Sequence, residues 1–186
     1  MLKHMRLVVG CSVLVLLTLV AAPRAQAVAV IDFASYLGHD YYLLSPATWT
    51  ESEAAAIGLG GHLVTIDDAG ENNFVTTQFG GERSLWIGLT DSAVEGTFVW
   101  VSGAPLVYTN WSSGEPNNCG FGTCSSENFG EIYPDYGGDT LGRWNDVGND
   151  YALFGVVEVV AVPEPSSLLL LGLAGGAVVF RIRRRR

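Results

Sequence analysis

The chain has 186 residues, 48% of them hydrophobic and 16% charged, with a formal net charge of −9, which excludes a disordered polyelectrolyte and a basic nucleic-acid binder. Charge is unevenly placed: of the ten basic residues only Arg83 and Arg143 lie within residues 28–162, against 18 of the 19 acidic ones, so that span carries −16. Such a surface repels nucleic acid and anionic lipid and favours divalent cations, and its length of about 135 residues suits one globular domain rather than two.

Residues 1–27 open with Lys3 and Arg6, run apolar from Leu7 to Ala22 without an acidic residue, and close on Ala25-Gln26-Ala27. That is the layout of a secretory signal peptide with a small-x-small cleavage site. Cys11 fits a lipidation site badly, because the apolar run continues well past it. Residues 28–40 read as a lead-in, and Tyr41 to Leu44 as a short strand. Thr48 and Glu51 form a T-x-x-E capping box, and Trp49 with Ala54 to Ile57 continues a helix that Gly58 to Gly61 ends. "HLVTI" (62–66) is the next strand, with His62 a strand-start residue rather than a ligand. Asp68 and Glu71 repeat the start signal, and Phe74, Val75 and Phe79 give a second helix its apolar face before Gly80-Gly81. Beyond Gly81 come short strand-like runs at 84–90, 97–101, 106–111 and 153–160. Two helices followed by short antiparallel strands predict an α+β domain. Trp86, Trp100, Trp111 and Trp144 sit in strand-like segments and are expected to pack in the core rather than to stack on sugars.

Between Ser112 and Asp150 the periodicity fades over a stretch far longer than an ordinary connection, and long ordered loops are usually functional. Glu115, Asn117, Glu127, Asn145 and Asp146 supply three carboxylates and two amide carbonyls beside turn residues. Hard oxygen donors of this kind suit calcium, and three carboxylates against Ca²⁺ leave the cluster at about −1. Transition metals fit less well, since the loop has no histidine and only Cys119 and Cys124 as sulfur donors. A cis Glu115-Pro116 bond would turn the side-chain oxygens of Glu115 and Asn117 to the same side. Cys119 and Cys124, in an exported protein, are expected to form a local disulfide. Glu115 and Glu127 could serve as a glycosidase pair, but chelation would keep both ionised and leave no general acid, so an enzyme is not expected.

"LWIGLTD" (85–91), "EGTFVWVSG" (95–103), "NW" (110–111), "GEPN" (114–117) and "WND" (144–146) stand in one order that resembles the C-type lectin-like domain, from about Tyr41 to Val160. The resemblance implies the C-type lectin-like fold over residues 41–160. It also implies a principal calcium held by Glu115, Asn117, Glu127, Asn145 and Asp146, with Glu131 competing for the place of Glu127. In the family the same five residues bind the sugar: two adjacent hydroxyls complete the calcium shell, donate to the glutamates and accept from the asparagine amides. The E-P-N triplet goes with mannose-type hydroxyls, so mannose, glucose, N-acetylglucosamine or fucose is expected. Asp91 and Glu95, with Asn118 and Asn128 in place of the usual aspartates, match a second and weaker calcium site. The alternative is a protein-binding or structural matrix module of the same fold. The domain's usual two disulfides would need cysteines near Ala56, Phe129, Asn149 and Val157, and none is present. The stretch from Glu127 to Asn145 is long for the family, and "DYGGD" (135–139) either reaches over the site or wanders away from it.

The remaining residues, 161–186, carry Pro163-Glu164-Pro165, an uncharged segment from Ser166 to Phe180 and a terminal arginine cluster. Fifteen helical residues cover roughly 22 Å, short of a ~30 Å hydrocarbon core. The order of motif, apolar helix and basic end resembles the PEP-CTERM sorting tail. That resemblance implies transient anchoring in the inner membrane of a Gram-negative bacterium, cleavage by an exosortase, and delivery to the cell surface or the extracellular matrix.

Overall fold

The computed structural model describes residues 27–119, 126–137 and 140–160. The predicted signal peptide up to residue 26, Cys124 and the predicted sorting segment 161–186 lie outside the described residues. Among the described residues no helix is long and apolar enough to cross a membrane.

Among the described residues ten elements follow in order: β1 (Val30–Tyr36), β2 (His39–Leu44), α1 (Trp49–Gly58), β3 (His62–Leu63), α2 (Ala69–Phe79), β4 (Leu85–Thr90), β5 (Val99–Trp100), β6 (Phe129–Ile132), β7 (Trp144–Val147) and β8 (Phe154–Val160). The sheet runs β1-β2-β8-β4-β6-β7, with β3 beside β8 and β5 beside β4. The fold is therefore α+β as expected, but the sheet is mixed: β4 and β8 pair in parallel, Leu85 opposite Phe154, while the other pairs are antiparallel.

Both helix starts are encoded locally. Thr48 caps α1 with a complete capping box, its hydroxyl accepting from the Glu51 N–H and Glu51 answering to the Thr48 N–H. At α2 only half of that arrangement forms. Asp68 accepts from the Glu71 N–H, but the Glu71 carboxylate turns inward to the Tyr41 hydroxyl (2.6 Å) and the Asp67 N–H (2.9 Å).

Three expected features take a different form. The lead-in 28–40 is not a tail: β1 pairs with β2 through a two-residue turn whose Leu37 (φ 49) and Gly38 (φ 89) both have positive φ, the geometry that matches the twist of a hairpin. The run 106–111 forms no strand. Its apolar residues serve as wedges instead, Tyr108 and Trp111 meeting the Trp144 ring edge-on at 5.7 and 5.8 Å. The supposed loop 112–150 contains β6 and β7, so the polar stretch is built onto the sheet.

The core fills the space between sheet and helices, with Val64, Ile66, Val75, Leu85, Ile87, Leu89, Trp144 and Val156 sealed from solvent. Each fully buried apolar side chain of this size contributes about 1.5–3 kcal/mol. Three of the buried indoles are anchored by their N–H groups, Trp49 to the Ile87 carbonyl, Trp86 to the Ala47 carbonyl and Trp144 to the Asn72 side-chain carbonyl, while the Trp100 N–H has no partner among the described residues. Gly88 is required where β4 meets β3, since a Cβ there would lie 2.4 Å from the Leu63 carbonyl oxygen. Where disulfides are missing, other contacts stand. Ala56 and Val157 are fully buried in one cluster with Leu44. Phe129 stacks on Trp49 at 4.5 Å, and Asn149 exchanges two 3.1 Å hydrogen bonds with Thr50.

Candidate functional site

The site forms where the segment before β6, the β6–β7 hairpin and the loop around Glu115 meet. β6 and β7 pair Gly130 with Asp146 and Glu131 with Asn145, so the "WND" residues are strand residues whose positions the ladder fixes. Asp146, fully buried, receives the backbone N–H of Asn117 (3.0 Å) on Oδ1 and that of Asn118 (2.8 Å) on Oδ2. This carboxylate therefore ties the loop to the sheet. Asn118 sits at φ 52 and turns its Oδ1 to the Glu127 N–H, joining the loop to the segment before β6. The Glu115-Pro116 bond is cis.

Glu115, Asn117, Glu127 and Asn145 line one cavity of about 580 Å³, together with Glu131. Asp146 lies against the same group, since its charge raises the pKa of both Glu115 and Glu127. Burial is the largest cause in each case. For Glu115 the Asp146 charge and hydrogen bond and then the Glu127 charge add to it, and the pKa is pushed up to about 7. Its Oε2 is buried without a hydrogen-bond partner. Among the described residues no basic side chain offsets this charge: Arg143 is spent on the Asn110 side chain (2.7 Å), and Arg83 reaches the Phe79 carbonyl and lies over the Phe154 ring. Among the described residues no three His, Cys, Asp or Glu side chains converge closely enough to hold an ion unaided. The acids line a cavity, and amides must complete any donor set.

Glu131, the competing candidate, is placed differently from Glu127. It projects from β6 with its Oε1 accepting from the Asn145 amide at 3.0 Å, and burial pushes its pKa up. Glu127, ahead of β6, shares its electrostatic surroundings with Asp146.

Of the residues of the weaker predicted site, Asp91 meets Asn128 and Glu95, while Asn118 is bonded to Asp146 and Glu127 instead. Asp91 is buried with Oδ2 accepting from the Gly96 N–H at 2.7 Å, while its Oδ1 has no partner. Asn128, whose carbonyl accepts from the Asp91 N–H, likewise keeps a buried Oδ1 without one. Burial and the charges of Asp91 and Asp146 raise the pKa of Glu95. Cys119 is disulfide-bonded, and its expected partner Cys124 lies outside the described residues. Trp86, Trp100 and Trp144 are core residues and Trp111 packs half-buried against Phe98 and Trp144, as expected. Sequence reasoning missed Tyr133, Tyr136 and Tyr151, which share the cavity lining. For Tyr133 and Tyr136 the only signal was the extra length between Glu127 and Asn145, and Tyr151 had none.

With this geometry in view, known proteins fall into one pattern. A hepatic lectin of Gallus gallus is 37% identical over 120 residues, 63% of this chain and 53% of its own length, so the chain spans about half of that relative. An alpha-N-acetylgalactosamine-specific lectin of Patiria pectinifera is 34% identical over 123 residues, 60% of this chain and 68% of its own. The carbohydrate-recognition domain of cow CD23, solved in the presence of a GlcNAc2Man3 oligosaccharide, superposes with a TM-score of 0.61 at 30% identity, covering 70% of this chain and 95% of that one. Residues 161–186 match the PEP-CTERM protein-sorting motif. Residues 45–152 match the family described as the lectin C-type domain, and the chain belongs to this family, with a PEP-CTERM sorting motif at its C-terminal end.

Proposed function

We propose that the domain binds mannose-type carbohydrate through a calcium ion held by Glu115, Asn117, Glu127, Asn145 and Asp146. The observation that carries this reading is the buried, partnerless Oε2 of Glu115, set beside Asp146 and Glu127 with no basic group to offset the three acids. An uncompensated carboxylate in such a place is costly, and a hard divalent cation relieves the cost. When bound, calcium would supply a Lewis-acidic centre for the lone pairs of sugar hydroxyls. The chain's own groups do the rest: Glu115 and Glu127 accept the hydroxyl protons, and the amides of Asn117 and Asn145 donate back. Asn145 gives one amide N–H to Glu131, and its NH2 group has a second to donate. Asp91, Glu95, Asn118 and Asn128 would hold a second calcium, a reading supported by the partnerless oxygens of Asp91 and Asn128.

A site gripping two hydroxyls binds in the millimolar range, near −4 kcal/mol, so adhesion would come from many copies on a surface. The sorting motif supports that setting: export, a transient inner-membrane anchor, exosortase processing, and display on the surface or in the matrix of a Gram-negative bacterium, against an exopolysaccharide or a neighbouring cell's glycan. The test is the double variant Glu115→Gln, Asn117→Asp, titrated with mannose and galactose in calcium. The reading predicts a swing toward galactose. Unchanged binding would place the sugar elsewhere.

A further inference from the structure

We propose that this site takes an oligosaccharide rather than a lone sugar, with Tyr133 and Tyr136 forming a second subsite for the next ring of a neutral glycan. The inference rests on the carbohydrate reading above and adds the class of ligand. A cavity of about 580 Å³ lies well within the range of about 300–1,000 Å³ in which small-molecule sites enclose most of their ligand. A sugar held by two hydroxyls at Glu115 and Asn145 fills only part of such a space. The rest of the lining is of another chemistry, with Tyr133 and Tyr136 from the β6–β7 connection and Tyr151 from the loop after β7.

Tyr136 is 71% exposed and supports no core, yet its segment is held in place. The Tyr133 N–H donates to the Arg143 carbonyl (2.8 Å), the Asp135 N–H to the Gly81 carbonyl (2.8 Å), and the Gly137 N–H to the Asp135 carboxylate (2.9 Å). The Tyr133 and Tyr136 rings meet at 5.9 Å and 66°, and one edge-on neighbour covers at most one face of a ring. Tyr136 therefore keeps a face for the C–H surface of a sugar. Tyr133 connects this platform to the donor group: burial raises its pKa, and the charges of Glu115, Glu131 and Glu127 raise it further, so its hydroxyl lies within their field. An aromatic platform next to hydroxyl-gripping donors suits consecutive rings of one chain. The charge of −16 over residues 28–162 opposes polyanionic glycans, so the chain it takes is neutral.

The test is calorimetric titration of the full chain, in calcium and a non-glycosidic detergent, with methyl α-mannoside and α-linked mannotriose, and in parallel with N-acetylglucosamine and its trimer. A ring contact of ordinary aromatic strength corresponds to about three- to tenfold in affinity. The trimer should bind tighter than its monomer by that factor. Tyr136→Ala should bring the ratio to about one while leaving the monomer's affinity unchanged, and Tyr136→Phe should keep the preference. A trimer bound no more tightly than its monomer, or a preference that survives Tyr136→Ala, overturns the subsite. Failure of every monomer to bind would instead overturn the carbohydrate reading on which the subsite depends.

Discussion

Lowering the pH should strip calcium from this domain well above the usual carboxylate range. Glu115 is pushed up to about 7, first by burial, then by the charge and hydrogen bond of Asp146 and the charge of Glu127. At the proposed site calcium would bind the ionised carboxylate and displace that proton, so its apparent affinity would follow the ionised fraction. For one ligand of pKa about 7, affinity falls about 25-fold between pH 7.5 and pH 5.5. Glu127, also raised by burial and by Asp146, acts in the same direction. The assay is a calcium titration at constant ionic strength across this range, repeated in two buffers of different ionisation enthalpy to count the protons released. Glu115→Gln should bind calcium less tightly at pH 7.5 and show a shallower profile below it. A change of less than about threefold between pH 7.5 and pH 5.5 would refute the placement of Glu115 as a buried ligand.

The same group sets the stability of the calcium-free fold. A carboxylate raised from 4.5 to about 7 on folding gives stability that is fully present below 4.5 and is lost as pH rises through about 7. Glu131, raised mainly by burial, has the same sign. The calcium-free protein should therefore melt higher at pH 5.5 than at pH 7.5, and excess calcium should reverse that order; calorimetric melts at both values, with chelator or calcium, decide it. Trp144→Phe keeps much of the ring packing but leaves the buried Asn72 carbonyl without its 2.8 Å donor. It should cost about 1–3 kcal/mol, read from the urea midpoint.

Elements governed by neighbouring residues were legible in the sequence. Thr48 with Glu51 and Asp68 with Glu71 mark both helix starts because a cap is a contact within four residues. β6 and β7 were hidden for the reason that makes them useful. Glu131, Asn145 and Asp146 are strand residues turned toward the site rather than to solvent, so alternation of apolar and polar side chains does not announce the strand. The hairpin of β1 was missed because Leu37 stands in its turn at positive φ, where Asn or Asp would have signalled it. The run 106–111 misled in the opposite sense, since its apolar residues wedge against Trp144 without a strand partner beyond the single bridge from Trp111. The five proposed donors were readable only as spaced motifs. The loop is tied to the sheet by Asp146, which receives two backbone N–H groups from it, a long-range fact that no local pattern contains.

The central claim is most directly tested by calorimetric titration of the full chain, in a non-glycosidic detergent, first with calcium and then with methyl α-mannoside, with and without excess chelator. The account predicts saturable calcium binding and a sugar heat that the chelator abolishes. Sugar binding that persists in chelator, or no calcium binding at all, would contradict it.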